Sequence, residues 1–88
     1  MAYIITYDLL APGQDYDKLI EKIKEFSGEK ITESAWVVKT TLKASELFDS
    51  LIPFLDSNDR LFVSQLTAEA KWRTNVIGKS DTLKTLFK

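Results

Sequence analysis

The chain has 88 residues, of which 44% are hydrophobic and 28% charged, and its formal net charge is −1. These values are typical of one small globular domain with a thin core. They argue against a disordered chain and make association with a second copy a natural source of stability. Cysteine and histidine are both absent, which excludes a disulfide framework, a thiolate zinc site and imidazole-based catalysis within this chain.

The first element is a β-rich apolar run, residues 2–8, that ends on the carboxylate of Asp8. Aromatic and β-branched residues fill it, and the Pro12-Gly13 pair beyond it is typical of a turn. We therefore predict a central strand with Asp8 at its C-terminal end. Because side chains alternate along a strand, two faces are expected. They carry Tyr3, Ile5 and Tyr7 on one side, and Ile4, Thr6 and Asp8 on the other.

A helix is predicted over residues 15–27, where apolar side chains recur with helical spacing. Asp15 can cap its first free N–H groups, and Gly28 stands where a left-handed residue would end it. The buried stripe of this helix consists of Tyr16, Leu19, Ile20, Ile23 and Phe26.

Two strands are predicted next. Residues 34–40 form a clear strand, rich in Trp, Val and Thr, and residues 30–33 form a weaker edge strand joined to it by a tight turn. Trp36, like Trp72 near the C-terminus, is expected in the core or at an interface, because base-stacking aromatic residues normally accompany a basic groove.

A second helix is predicted from about residue 44, with a bend or final turn at Pro53, because proline removes a helical N–H group. Its buried stripe consists of Leu47, Phe48, Leu51, Ile52 and Leu55. The polar run after it is typical of a loop, in which we interpret Asp56 and Asp59 as loop-forming rather than metal-binding residues. A further strand is predicted over residues 61–67.

The C-terminal residues contain a candidate fifth strand, 72–77, and a candidate helix, 79–88. No internal repeat or linker divides the chain. We therefore expect a single domain over residues 1–88, with a core of about 2–67 and a C-terminal extension of about 68–88.

The order strand, helix, strand, strand, helix, strand predicts an α+β fold of the ferredoxin-like, split βαβ type (βαββαβ) with an antiparallel sheet, followed by the strand and helix of the extension. In this fold the strands lie in the order 4-1-3-2, which places the first strand in the middle. Asp8 is then expected beside Ser34-Ala35 and Asp59-Arg60, where the third and fourth strands start.

Both helices are expected to cover one face of this sheet and to leave the other face open. Either Trp36 and Val38, or Ala35 and Val37, would point towards the open face, and exposed apolar area of this kind usually marks an interface. We therefore predict a homodimer, formed through the sheet or by exchange of the tails.

Several short motifs resemble a known protein family. The opening Tyr-Ile-Ile-Thr-Tyr-Asp, the later Ser34-Ala35-Trp36-Val37-Val38 and the Asp-containing loop before Leu61-Phe62-Val63 are similar to the small CRISPR-associated adaptation subunit, the second Cas protein, across residues 2–67. The Tyr-Asp-Leu, Pro-Gly-x-Asp-Tyr and Leu-Asp-x-Asn-Asp motifs look closer still to SinR-like bacterial and phage proteins. Virulence-associated protein D, a ribonuclease toxin, belongs to the same broad structural group.

The resemblance implies a ferredoxin-like homodimer that acts on nucleic acid in antiviral defence, with an integrase-type protein as a further partner. It also implies that Asp8 of each subunit is the catalytic and metal-binding residue, which would hold Mg²⁺ for phosphodiester hydrolysis by an endonuclease or endoribonuclease. A carboxylate suits this hard dication, and a metal can generate the nucleophilic water without histidine.

The sequence departs from this family in its basic residues. Arginines around the first helix and the second strand help to bind nucleic acid in the family, whereas no arginine precedes Arg60 here. The matching region offers Lys18, Lys22 and Lys30 as candidate nucleic-acid-binding residues, although lysine lacks the bidentate fork of arginine. The 12 basic and 13 acidic residues also give no overall positive charge that would favour nucleic acid.

Two alternatives stay open. Asp8 could simply cap the turn that follows it, and the protein could be a non-enzymatic dimeric interaction module, such as a phage or prophage protein with the same fold and no nuclease activity. No apolar run approaches the roughly 18 residues of a membrane span, and no secretory signal is visible. A cytoplasmic protein without a membrane partner is therefore expected.

Overall fold

The structure is a computed structural model that describes residues 1–10 and 16–66. Its elements follow the predicted order: β1 Ala2–Asp8, α1 Asp17–Lys24, β2 Ser27–Thr32, β3 Ala35–Lys39, α2 Ala44–Leu51 and β4 Arg60–Leu66. A short 3-10 turn, Ile52–Phe54, follows α2 directly. The predicted cap Asp15, the residue Trp72 and the C-terminal extension lie outside the described residues.

The four described strands form one antiparallel sheet in the order β2-β3-β1-β4. This order confirms the α+β prediction and the ferredoxin-like βαββαβ arrangement, with β1 in the middle of the sheet. β1 pairs along its whole length with β4, from Ala2 opposite Leu66 to Asp8 opposite Arg60. The C-terminal end of β1 therefore meets the start of β4.

One face of the sheet and both helices enclose the core. Its buried side chains are Tyr3, Ile5 and Tyr7 from β1, Trp36 and Val38 from β3, Leu19 and Ile23 from α1, and Leu47 and Leu51 from α2. Removal of this apolar surface from water is the main favourable term in folding. The Tyr3 hydroxyl keeps a partner at the edge of the core, because it donates to the Leu42 carbonyl oxygen at 2.7 Å.

The opposite face of the sheet is less open than predicted. Ala35 and Val37 point to this face, yet they are only 7% and 3% exposed, so the expectation that they add exposed apolar area is wrong. Val37 lies between Ile4 of β1 and Glu29 of β2, its direct cross-strand neighbours on this face. Among the described residues of this face, Phe62 is the large apolar residue that stays exposed, at 62%.

The boundary between α1 and β2 also differs from the prediction. The helix ends at Lys24 rather than at residue 27, because the N–H groups of Glu25 and Phe26 bond to carbonyl oxygens three residues back and so tighten the last turn. The chain then enters β2 at Ser27. The edge strand consequently begins three residues before the predicted position.

Gly28 lies inside β2, opposite Val38, so the prediction that it ends a helix is wrong. The two strands approach closely here: a Cβ atom on Gly28 would lie 2.3 Å from the Val37 carbonyl oxygen and 2.8 Å from the Val38 Cα. These are backbone atoms of an inner strand, which cannot move aside as a flexible side chain would. Close packing of the two strands therefore requires glycine at this position.

α2 has an ordinary start and the predicted end. The Lys43 N–H donates to the Glu46 carboxylate at 2.8 Å, which satisfies one of the free donors at the N-terminus. Pro53 lies in the 3-10 turn that follows the helix, in agreement with the predicted final turn. Neither α1 nor α2 is long and apolar enough to cross a membrane.

Gly28→Ala is expected to lower the free energy of unfolding by about 1–3 kcal/mol, because the added methyl group collides with the backbone of β3. Urea titration measures this difference. Ser27→Ala, at an exposed position of the same strand, is the control and should change stability by less than about 0.5 kcal/mol. Equal unfolding midpoints for Gly28→Ala and the wild type would contradict the close approach of the strands.

Candidate functional site

The C-terminal end of β1 and the start of β4 meet at one rim of the sheet. Asp8 is the last residue of β1, lies opposite Arg60, and has a side chain that is 54% exposed. On the other side of β1, the Tyr7 N–H donates to the Ser34 carbonyl oxygen at 3.0 Å. The predicted placement of Asp8 is therefore confirmed: a central strand carries this carboxylate to a rim that solvent can reach.

Asp8 forms an ion pair with Arg60. The Arg60 Nη1 donates to Asp8 Oδ2 at 3.0 Å, and the side chain of Arg60 is 74% exposed. A pair this exposed contributes little stability, because water competes for both groups and salt screens them. The carboxylate and the guanidinium are therefore both accessible to a ligand from solvent.

The sequence predicts Arg60 near Asp8, at the start of the fourth strand, but indicates no functional role for it. The signal that identifies it is the register of β1 against β4, since cross-strand partners are fixed once two antiparallel strands are aligned. Arg60 is the first arginine in the sequence, and the structure places it at this rim.

A shallow depression of about 190 Å³ adjoins the ion pair. Its walls are formed by Thr6, Tyr7, Asp8, Arg60, Leu61 and Phe62. Thr6 lies directly opposite Phe62 in the β1–β4 pair. The depression thus places a hydroxyl group, a carboxylate, a guanidinium and an exposed aromatic ring within one small area.

Asp59 ties together the chain segments that flank this rim. Its carboxylate accepts hydrogen bonds from the Leu10 N–H and the Asp56 N–H, each at 2.8 Å. The Tyr16 hydroxyl contacts both carboxylate oxygens, at 2.7 Å each. Because Leu10 closely follows β1 and Asp59 immediately precedes β4, this cluster, here called the Asp59 clamp, fixes the ends of the two strands that carry the ion pair.

These contacts agree with the loop-forming role predicted for Asp59. Asp56 also binds within its own loop, where its carboxylate accepts a long hydrogen bond from the Asn58 N–H at 3.5 Å. The Asp59 N–H donates to the Asp56 carbonyl oxygen at 3.1 Å, which closes the turn before β4. Both aspartates therefore shape the loop that delivers Arg60 to the rim.

Asp8 suits Mg²⁺ as one ligand among several. Its oxygens are hard donors in an exposed position, and Mg²⁺ usually keeps several waters while it binds one or two carboxylates and the phosphates of a substrate. Within residues 1–10 and 16–66, no group of three or more His, Cys, Asp or Glu residues is arranged to hold a metal. A carboxylate from a second subunit, or the phosphate oxygens of a substrate, would complete the coordination.

The three candidate lysines lie on the helix side of the sheet. Lys18 and Lys22 are one turn apart on α1, and Lys30 of β2 is opposite Trp36, whose ring faces the helices. Asp8 alternates with the core residues of β1 and so points to the other face. The structure therefore does not bring these lysines together with Asp8.

Two of these lysines also lie beside carboxylates. Lys22 Nζ is 3.6 Å from Glu25 Oε2, and it lies 6.0 Å from the centre of the Phe26 ring. Lys30 Nζ is 3.8 Å from Glu33 Oε2. These surface pairs are weak, but they reduce the positive potential that each lysine offers to a phosphate.

Trp36 is a core residue, as predicted. It is 7% exposed, and its indole N–H donates to the Tyr7 hydroxyl at 3.1 Å. Its ring is therefore not accessible for base stacking. The exposed aromatic residue of the described sheet is Phe62, which the sequence interpretation assigned to a strand without a functional role.

No protein-family model matches this sequence, and no solved structure matches the chain. The likeness to the CRISPR-associated adaptation subunit consequently rests on the short motifs quoted from the sequence.

Asp59→Asn is expected to lower the free energy of unfolding by about 1–3 kcal/mol, because the amide nitrogen cannot accept the hydrogen bonds that one carboxylate oxygen accepts. Urea titration measures the loss. Asp49→Asn makes the same chemical change at an exposed position of α2 and should stay within about 0.5 kcal/mol of the wild type. Equal losses in the two variants would contradict the clamp.

Asp8→Asn is expected to change the free energy of unfolding by less than about 1 kcal/mol, because the ion pair that it breaks is exposed. The measurement is urea titration at low and high salt, and the difference from the wild type should shrink as salt is added. A loss as large as that of Asp59→Asn would instead make Asp8 a structural residue that caps its turn.

Proposed function

We propose that this protein acts on nucleic acid as a homodimer in which Asp8 of each subunit holds Mg²⁺ for phosphodiester hydrolysis. The observation that carries the proposal is the position of Asp8: an exposed carboxylate at the end of a central strand, 3.0 Å from an exposed guanidinium. A pair of one metal-binding group and one phosphate-binding group matches what cleavage of a phosphodiester requires.

The chemistry divides between two side chains. Asp8 would hold the cation through its oxygens, and Arg60 would donate to a phosphate oxygen in the planar geometry that suits this anion. A bound Mg²⁺ supplies an activated water and neutralises charge on the phosphodiester, which removes the need for the histidine that this chain lacks.

Binding of a substrate would compete with the existing ion pair. The Asp8–Arg60 contact is between exposed side chains, so its disruption costs little. A cation at the carboxylate and a phosphate at the guanidinium would replace one weak contact with two charge-assisted contacts. The ion pair is therefore compatible with a resting state of such a site.

A homodimer supports the same chemistry. Two symmetry-related copies of Asp8 would provide the two carboxylates that Mg²⁺ sites often use. A chain of 88 residues also has a thin core and benefits from association. The resemblance to the CRISPR-associated adaptation subunit extends the proposal to a cytoplasmic role in antiviral defence and to an integrase-type protein partner.

The second candidate function is a dimeric interaction module without nuclease activity. The charge arrangement favours it: Arg60 is matched by Asp8, Lys22 by Glu25 and Lys30 by Glu33. Phosphate contacts from unmatched basic groups supply most of the affinity in nucleic-acid binding. A protein that meets a protein partner through this rim needs no such excess of positive charge.

The two functions predict different results for Asp8→Asn in a cleavage assay. With labelled RNA and DNA, single-stranded and double-stranded, the nuclease should cleave one of these substrates in Mg²⁺ and none of them in chelator. Asp8→Asn should lower the cleavage rate by about 100-fold or more, the scale for loss of one catalytic group. Asp49→Asn, an exposed change away from the rim, should cleave at the wild-type rate.

Cleavage that survives Asp8→Asn would end the catalytic proposal. Absence of cleavage together with nucleic-acid binding too weak to detect in a gel-shift assay would favour the interaction module. Size-exclusion chromatography with light scattering tests the homodimer that both candidates share, since a monomer at micromolar concentration would contradict it.

A further inference from the structure

Phe62 is an exposed aromatic residue in an unusual position. It belongs to β4, which pairs with the central strand, and it is 62% exposed although its strand neighbours Leu61 and Val63 pack against the core. Alternation explains the difference, because residues on either side of Phe62 point to the helices while its own ring points to the other face. Packing against the described part of the subunit, residues 1–10 and 16–66, therefore does not account for a large aromatic side chain here.

The Phe62 ring lies beside one uncharged polar side chain and two charged ones. Thr6 is directly opposite Phe62, and Arg60 is two residues away on the same strand and the same face. Asp8 is opposite Arg60 and so lies diagonal to Phe62, at about 7–8 Å between backbones in an antiparallel pair. All of these side chains contribute to the depression of about 190 Å³.

We propose that Phe62 is a stacking platform for an unpaired base of single-stranded nucleic acid, with the adjoining phosphate held at Arg60. This inference rests on the proposed function and names its substrate class. Stacking on an aromatic ring suits any base, because every base has a π face. The half-buried hydroxyl of Thr6 and the exposed carboxylate of Asp8 lie beside the ring and can bond to polar groups on the base edge or the sugar.

The polar neighbours favour a base over an apolar protein surface. A partner that covered Phe62 with apolar side chains would also cover the ion pair, and buried charges without compensating hydrogen bonds are costly. A nucleotide instead offers a flat apolar face to the ring, an anionic phosphate to the guanidinium and hydrogen-bonding groups to Thr6 and Asp8.

Single-stranded nucleic acid fits this platform better than a duplex. Bases inside a duplex are already stacked on each other, and their removal costs a few kcal/mol of unstacking and unpairing. A single strand can place a base on Phe62 without that cost. The diagonal relation of Phe62 to Asp8 then sets the stacked base beside the phosphodiester that the cation site would hold.

The test measures binding without cleavage. Fluorescence anisotropy with labelled oligothymidine and oligouridine, in the presence of chelator, gives the dissociation constants of DNA and RNA for the full chain. Phe62→Ala should weaken binding of the preferred single strand by about tenfold or more, as expected for the loss of one stacked base. A duplex of the same length should bind more weakly to the wild type and should respond less to the substitution.

Two matched variants separate stacking from apolar contact. Phe62→Trp keeps a stacking ring and should bind within about twofold of the wild type or more tightly, whereas Phe62→Leu keeps an apolar side chain and should be as weak as Phe62→Ala. Gln65→Ala changes another exposed residue of β4 and should leave binding unchanged. Light scattering on each variant reports the oligomeric state.

Three results with the Phe62 variants would overturn the inference: wild-type binding by Phe62→Ala, wild-type binding by Phe62→Leu, or a change of oligomeric state in Phe62→Ala, which would make a second copy the occupant. Failure of the inference differs from failure of the proposed function. If Phe62→Ala binds normally while Asp8→Asn loses cleavage, the nuclease proposal survives and the platform is rejected. If the wild type binds neither oligonucleotide, the platform is rejected, and the nuclease proposal is decided by the cleavage assay, which includes duplex substrates.

Discussion

The pairing of β1 with β4 is the constraint on which the candidate site depends. Seven consecutive residues of β1 are aligned with β4, and the alignment ends with Asp8 opposite Arg60. A slip of one residue would reverse the faces of every side chain in the shifted strand. It would thereby part the carboxylate from the guanidinium and bring the ring of Phe62 to the core side. The Asp59 clamp secures this alignment at the end where the polar groups lie.

The two faces of the sheet carry residues with different roles: core residues on one face, and the exposed polar groups of the candidate site on the other. The side that both helices cover carries the main core cluster, in which the Trp36 indole N–H donates to the Tyr7 hydroxyl. The other side carries the exposed groups of β1 and β4 at the rim. Because the Asp8–Arg60 pair contributes little to stability, its residues are free to be selected for binding. Substitutions at this rim can therefore alter function while the fold is kept.

The sequence pattern and the order of the strands were sufficient to place Asp8. An apolar β-rich run that stops at a carboxylate, as the first strand of this topology, puts that carboxylate at the C-terminal end of a central strand. The Asp59 clamp was beyond such reasoning, since its donors Leu10 and Tyr16 are more than 40 residues away in sequence and meet it only in the folded chain. Gly28 was misread for a different reason. A glycine that follows an apolar helical pattern fits either a helix end or a close approach of two strands. Only the position of β3 in the folded chain distinguishes these two alternatives.

Because Gly28 has no side chain, it also restricts the register in which the edge strand β2 pairs with β3. A shift of β2 along β3 by one residue would bring Ser27 or Glu29 to the point where a Cβ atom meets the Val37 carbonyl oxygen at 2.3 Å. Edge strands are otherwise prone to slippage and to pairing with foreign chains. The absence of a Cβ atom at position 28 therefore favours one register of β2 against β3 over the registers shifted by one residue.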